Sequence, residues 1–340
     1  VPDFTYLTRE DVVAAGGADM RSAIDDLVRG LHLYEAGLVM QPAKTSVRLS
    51  GRSSEAVDGL VNFLPAAVAG EDPVFGCKAM GAMPANLERG LPRATGLITL
   101  FDATSKLPIA VMDAQVISAI RTGAVSALMS RNLAPSDTTS VGLVGAGVNM
   151  RTQLLGLKAA LPGLRQVRVY SRGRSKHDFA AQMGERVGVE IVAVDTAQEA
   201  VRDQRLVVTC VANASQPVVR AAWLAPAVTV FNIGCYEVEV AALARMDRIV
   251  ADNWEHGKHR GVQTHAIAHR LGVIDDARVE DMTPIANGRR PGRRNDRESI
   301  FFSPTGMGFE DVLLARRVLR TALARGIGQT LSLWSEPQWI

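Results

Sequence analysis

The 340-residue chain is poor in cysteine, with only Cys77, Cys210 and Cys235. Their number is odd, their spacing is wide, and each lies in or just after an apolar run. That excludes a disulfide framework and a paired Cys-x-x-Cys zinc site, because free cysteines so placed pack as small hydrophobes. No apolar run reaches the length of a membrane-spanning helix. The start, Val1 to Glu10, lacks a basic region leading into an apolar stretch, so no export signal is expected. An excess of either charge is also missing: 38 basic and 35 acidic residues leave +3. Nucleic-acid binding needs a basic face, which this balance does not supply. The one basic run, Arg289, Arg290, Arg293 and Arg294, reads as a solvated loop. There is no internal repeat and no low-complexity tract. These absences predict a cytoplasmic protein with neither nucleic acid nor membrane as partner.

What is present suffices for two domains with cores of their own, since 47% of the residues are apolar. Leu7 to Asp11 reads as a strand end and helix start with Thr8 as N-cap. Met20 to Ala36 carries Ile24, Leu27 and Leu31 at helical spacing. Short apolar runs at Thr45–Leu49, Leu60–Leu64, Val74–Ala79, Gly96–Phe101 and Leu107–Met112 predict an antiparallel sheet. Turns at Gly51–Ser54, Gly70–Pro73 and Asp102–Lys106 separate them. Val116–Leu133 reads as one long helix. After Ala134-Pro135-Ser136-Asp137, strands alternate with helices: Ser140–Val144, Gln166–Tyr170, Glu190–Val194, Leu206–Cys210, Thr229–Ile233 and Arg248–Ala251. Such alternation predicts a parallel sheet covered on both faces. Gly288–Arg294 reads as a loop, and Glu310–Ala324 as a helix returning to the first domain.

Gly145-Ala146-Gly147-Val148-Asn149-Met150 follows a strand and opens a helix. Two glycines let the backbone approach a diphosphate, whose charge then sits at the helix N-terminus. The strand before, the helix after and the next strand ending at Tyr170 give the turn the context of a dinucleotide site. Met150 stands where a third glycine is usual. Beyond Tyr170 the chain reads Ser171-Arg172-Gly173-Arg174-Ser175-Lys176. An acid there would bind the free ribose hydroxyl of NAD, whereas a hydroxyl and two guanidiniums suit the extra phosphate of NADP. NADP(H) is therefore favoured over NAD(H), with a solvated basic loop as the alternative. His256, His259, His265 and His269 share one segment, but Glu255 is the only near acid and Lys258 and Arg260 would repel a cation, so no metal is expected.

Ala110-Val111-Met112-Asp113-Ala114, then Ile120-Arg121-Thr122-Gly123-Ala124 and the Gly145 turn, resemble the ornithine cyclodeaminase/mu-crystallin family of NAD(P)-dependent enzymes. Tyr6-Leu7-Thr8-Arg9, Ala15-Gly16-Gly17, Asp252-Asn253-Trp254, Pro291-Gly292-Arg293, Gly306-Met307-Gly308 and Glu310-Asp311 extend the likeness over nearly the whole chain. They point to a branch that releases 2,3-diaminopropionate for siderophores. The resemblance implies an α/β fold in which a Rossmann-type dinucleotide-binding domain (134–305) is inserted in a split α+β domain (1–133 plus 306–340). That split domain would bind substrate and pair two subunits into a homodimer through its sheet.

By the same resemblance, Lys78 and Arg121 match positions that hold the substrate's α-carboxylate. Two cations converging on one carboxylate fix the α-carbon against a nicotinamide ring. Lys44 matches a substrate-contacting lysine, and Arg48, four residues on along an expected strand, would share its face. Asn86 is a further polar contact. Thr122, Gly145, Ala146, Gly147, Val148, Asn149, Ser171, Arg172, Arg174 and Met307 are implied to bind the cofactor. Lys78 is also implied in catalysis. Family members place an aspartate after the fifth Rossmann strand, where Gly234-Cys235-Tyr236-Glu237-Val238-Glu239 has none. Glu237 is matched to that acid, with Glu239 as the alternative that only braces the loop. The activity implied is oxidation of the amino-acid CH–NH bond, converting N-(2-amino-2-carboxyethyl)-L-glutamate to 2,3-diaminopropionate and 2-oxoglutarate. The alternatives are NADPH-dependent imine reduction, ornithine cyclisation, or NADPH binding without turnover.

Overall fold

The computed structural model describes residues 2–48, 59–212 and 216–336. The chain begins with β1 (Asp3–Leu7), α1 (Arg9–Ala14), α2 (Met20–Glu35), β2 (Val39–Met40) and β3 (Thr45–Val47). There follow β4 (Leu60–Val68), β5 (Val74–Ala82), β6 (Ala94–Asp102), β7 (Pro108–Asp113) and α3 (Gln115–Leu133). Next come β8 (Ser140–Val144), α4 (Val148–Ala160), β9 (Gln166–Tyr170), α5 (Ser175–Val187), β10 (Glu190–Ala193) and α6 (Ala197–Val201). The middle of the chain continues with β11 (Leu206–Thr209), β12 (Thr229–Asn232), β13 (Arg248–Ala251), α7 (Trp254–Arg260) and α8 (Thr264–Arg270). It closes with β14 (Val279–Asp281), α9 (Met282–Ala286), β15 (Ile300–Ser303), α10 (Gly308–Arg325) and β16 (Gln329–Ser332). The expected turn at Gly51–Ser54 lies outside the described residues, as does Leu49 of the expected Thr45–Leu49 strand.

The chain divides into two compact units, Val1–Arg121 with Met307–Ile340, and Thr122–Gly306. The first boundary thus falls inside α3, where the sequence set it after residue 133. The cause is a close packing of the second half of α3 on α4. A Cβ on Gly156 would lie 2.3 Å from the Gly123 carbonyl oxygen, and Gln153 Nε2 donates to the Thr122 carbonyl at 3.1 Å. Met150, where a third glycine is usual, packs as a fully buried core residue.

The first unit is built on a sheet of order β16-β1-β7-β6-β5-β4-β2, with β3 added on β4. Its ladders are antiparallel except for β1 on β7. Alternation along β5 sends Val74, Gly76, Lys78 and Met80 to the buried face, where α10 packs with Phe309, Val312 and Leu314 fully or almost fully buried. Missing Cβ atoms let helix and sheet approach: a Cβ on Gly76 would meet Val312 at 2.9 Å, and one on Gly308 the Pro65 carbonyl at 2.6 Å. Thr8 caps α1 through a full capping box with Asp11. On the opposite face of the sheet Val61, Phe63, Phe75 and Leu97 are exposed.

The second unit is a parallel sheet of order β10-β9-β8-β11-β12-β15-β13-β14. The order reverses at β8, as in a doubly wound Rossmann sheet. β15 was not anticipated from the sequence; it enters between β12 and β13 with every residue buried. The expected solvated run 289–294 needs correction at Arg293. Its guanidinium donates to the carbonyls of Leu133 (3.0 Å) and Glu298 (2.6 Å), and its backbone N–H to Asn132 (2.7 Å). Among the described residues no helix is long and apolar enough to cross a membrane.

Candidate functional site

In the first unit, β5 and α3 bring Lys78 and Arg121 to one place, and both are almost fully buried. Two acids from the first turn of α10 meet them. Lys78 Nζ lies 2.6 Å from Asp311 Oδ2 and donates to Ser118 Oγ at 3.0 Å. Arg121 Nη1 reaches Glu310 Oε2 at 2.8 Å, and its Nε lies 3.3 Å from Asp311 Oδ1. The carboxylates of Glu310 and Asp311 are wholly shielded from solvent. Two cations and two anions therefore share one desolvated cluster, and Asp311 touches both cations. Burial, with repulsion from Arg121, lowers the Lys78 ammonium from 10.5 to about 8, against the pull of Asp311. The sequence singled out both cations but gave the two acids no role.

The remaining substrate candidates of this unit are placed differently. Lys44 immediately precedes the three-residue β3 and Arg48 immediately follows it. Arg48 is exposed. Asn86 lies in a 3-10 turn, Pro84–Arg89, and donates through Nδ2 to the Pro92 carbonyl at 3.1 Å. Its amide ties this turn together. Met307 is buried and is the N-cap residue of α10, without a side-chain capping bond.

In the second unit, β8 ends at the predicted turn. Gly145 has φ +116°, and a Cβ there would lie 2.2 Å from the Cys210 carbonyl oxygen. Only glycine satisfies both conditions. Gly147 is the N-cap of α4, without a side-chain cap and with open space where its Cβ would be. The first N–H groups of α4 at Val148 and Asn149 thus have no capping side chain, and Ala146 and Val148 border an open approach. Such a cradle fits a diphosphate by donor chemistry and shape. Thr122 supplies its carbonyl to Gln153, which fixes α4 below the turn.

Past β9, Arg172 and Arg174 are exposed, and Gly173 turns the loop with φ +67°. Arg174 lies 3.6 Å from Asp178, both in solvent, while the hydroxyls of Ser171 and Ser175 bond at 2.7 Å. Lys176 is instead buried and engaged by Asp195 (2.6 Å) and the Val194 carbonyl (2.9 Å). Ser171, Arg172 and Arg174 therefore present polar groups at the end of β9, and Lys176 does not join them.

Glu237 is fully buried. Its carboxylate accepts from Thr209 Oγ1 at 2.7 Å, from Gly234 N at 3.0 Å and from Val211 N. These bonds lash the end of β11 to the loop after β12, and desolvation pushes the carboxyl up from 4.5 to about 7. Glu237 thus braces the loop in this structure. Glu239 is a brace as well, accepting from Ala221 N at 2.8 Å. His265 is buried beside Trp254, and desolvation lowers it to about 3, so it is neutral in the working range. His269 Nε2 lies 3.2 Å from Asp276. Among the described residues no group of three His, Cys, Asp or Glu could hold a metal ion.

Comparison with known proteins gives the family and the fold. The sequence model of the ornithine cyclodeaminase/mu-crystallin family matches residues 6–326. The chain is 28% identical to N-((2S)-2-amino-2-carboxyethyl)-L-glutamate dehydrogenase of Staphylococcus aureus, over 98% of this chain and 99% of that protein. The Delta(1)-pyrroline-2-carboxylate reductase of Thermococcus litoralis, solved with NADH and L-proline, is 26% identical with a TM-score of 0.87. The match covers 96% of this chain and 99% of the reductase. An archaeal alanine dehydrogenase dimer with bound NAD also gives a TM-score of 0.87 at 26% identity, over 98% of this chain and 100% of that one.

Proposed function

Because the chain belongs to the ornithine cyclodeaminase/mu-crystallin family, we propose that it is an NAD(P)-dependent enzyme that oxidises the CH–NH bond of an N-substituted amino acid. The substrate proposed is N-(2-amino-2-carboxyethyl)-L-glutamate, and the products are 2-oxoglutarate and 2,3-diaminopropionate, for siderophore or specialised-metabolite synthesis. The observation that carries this reading is the convergence of Lys78 and Arg121 in one desolvated cluster. Two cations held in low dielectric suit an α-carboxylate, and gripping it fixes the adjacent α-carbon for hydride loss. Lys78 has two of its three N–H donors committed, to Asp311 and Ser118, so the third serves an incoming carboxylate. An ammonium that titrates near pH 8 also suits proton exchange with the substrate nitrogen.

In this reading the first unit binds substrate and the second holds the dinucleotide. The Gly145–Asn149 turn receives the diphosphate, and Ser171, Arg172 and Arg174 receive the 2′-phosphate of NADP(H), which is preferred. A bound nicotinamide supplies the hydride acceptor. Water then opens the resulting imine to the oxo acid and the amine. The exposed apolar face of Val61, Phe63, Phe75 and Leu97 joins two copies into a homodimer.

The test is a coupled measurement with the synthetic dipeptide-like amine and NADP+. Reduced cofactor and 2,3-diaminopropionate should accumulate in equal amounts, and absence of both would refute the substrate assignment. A second reading, NADPH-dependent reduction of an imino acid, draws support from the burial of Glu237, whose carboxylate is enclosed by three protein donors. NADPH consumption with pyrroline-2-carboxylate, without activity toward the amine, would select it.

A further inference from the structure

The four-charge cluster around Lys78 contains a residue whose geometry has a purpose of its own. We infer that Asp311 is a positioning residue that sets the separation and the charge of the two carboxylate-gripping cations. The inference rests on the proposed carboxylate-binding role of Lys78 and Arg121.

Its two oxygens divide the work. Oδ2 lies 2.6 Å from Lys78 Nζ, and Oδ1 lies 3.3 Å from Arg121 Nε. The carboxylate therefore bridges β5 and α3, and a rotation that improved one contact would lengthen the other. Asp311 is fully buried, one residue past Glu310, which is 1% exposed, in the first turn of α10. Phe309 and Val312 flank the pair with 0% exposure each, so the helix is locked and its acids have no freedom to follow a mobile partner. Glu310 holds Arg121 from the other side through Nη1 at 2.8 Å.

Charge points the same way. Lys78 and Arg121 lie in a desolvated site and repel one another. Without a bridging anion, the arrangement relaxes by losing the one proton that can leave, that of Lys78. Among the described residues, the charged groups that act most on the Lys78 ammonium are those of this cluster: Asp311 and Glu310 from α10, and Arg121 from α3. With all four ionised the cluster is neutral, and an arriving carboxylate meets a formed pair of cations that need not be assembled. Asp311 contributes by keeping Lys78 charged and in place; substrate need never touch it.

The experiment measures the dissociation constant of 2-oxoglutarate by calorimetry, with saturating oxidised cofactor, from pH 6 to pH 10. Neither carboxyl of this ligand titrates there. In the unaltered protein the constant should rise with a midpoint near pH 8. In Asp311→Asn the midpoint should fall by about one pH unit or more, and a fall of one unit weakens binding about twofold at pH 7 and about fivefold at pH 8. In Asp311→Glu the charge is kept but the reach is longer. That variant should bind about tenfold or more weakly at every pH while its midpoint stays near pH 8. A folded Asp311→Asn with an unmoved midpoint would overturn the inference, as would Asp311→Glu with unaltered affinity. If the unaltered protein itself binds 2-oxoglutarate independently of pH, the carboxylate role of Lys78 fails instead.

Discussion

Raising pH should loosen carboxylate binding, and the structure gives the window. Lys78 carries its proton up to about pH 8, well below the ordinary lysine value of 10.5, because burial and Arg121 disfavour the charged form. Arg121 does not titrate in this range, so it contributes a constant background. With one titrating cation, the protonated fraction falls from about nine tenths at pH 7 to about one tenth at pH 9. The dissociation constant of 2-oxoglutarate should therefore rise about tenfold between pH 7 and pH 9, and about a hundredfold by pH 10. The rise levels off where Lys78 titrates within the complex, since the bound carboxylate lifts its pKa. Fold stability moves in the opposite sense. Between about pH 8 and 10.5 the unfolded chain binds more protons at this lysine than the folded one, so stability rises with pH across that window. Weaker binding at high pH cannot then be ascribed to loss of the proton-depleted fold. The assay is calorimetric titration at fixed ionic strength, with Lys78→Met as control. That variant should bind weakly at pH 7 and show no pH dependence. A constant that varies less than twofold from pH 7 to pH 10 in the unaltered protein would refute the reasoning.

Gly145→Ala should strike the dinucleotide turn. The new Cβ must move about 1 Å to reach ordinary contact with the Cys210 carbonyl, at a positive φ that costs roughly 1–3 kcal/mol. NADPH affinity by fluorescence titration should drop at least about tenfold, and unchanged affinity would rule out a diphosphate there. Replacing Arg172 and Arg174 by Ala should weaken NADPH about tenfold or more while leaving NADH within about twofold, since only the former has a 2′-phosphate to lose. Equal effects on both cofactors would contradict the assignment. Phe63→Asp should convert a dimer to a monomer in light scattering, because it buries a charge in the proposed pairing face. A monomeric parent protein, or an unchanged mass in the variant, would dismiss that face as the interface.

Local pattern carried most of the fold. The bounds of Ser140–Val144, Gln166–Tyr170 and Arg248–Ala251 were readable because each is a short apolar run between turn or helix signals. Ile300–Ser303 was missed because its signal is just four residues after a charged loop. Its place between β12 and β13 depends on pairing that no local window contains. At the candidate site, the glycine turn was legible because strand, turn and helix are contiguous. The burial of Glu237 was not legible, because the three donors that enclose its carboxylate come from the end of β11, the residues just after it and the loop after β12. Glu310 and Asp311 looked like ordinary first-turn acids of a helix. Their neighbours Phe309, Val312 and Leu313 show that this turn faces inward, but the cations awaiting them lie some 190 to 230 positions earlier, a separation helical periodicity cannot span.

The neutral quartet of Lys78, Arg121, Glu310 and Asp311 also limits how such a chain can drift. Deleting any single member strands an opposite charge in a dry interior, a penalty of about 3–5 kcal/mol against a total stability of about 5–15 kcal/mol. Single-step mutation at these positions is therefore close to a barrier, whereas a matched exchange of one acid with one base crosses it. Descendants that acquire a different ligand preference should show these four positions changing in couples.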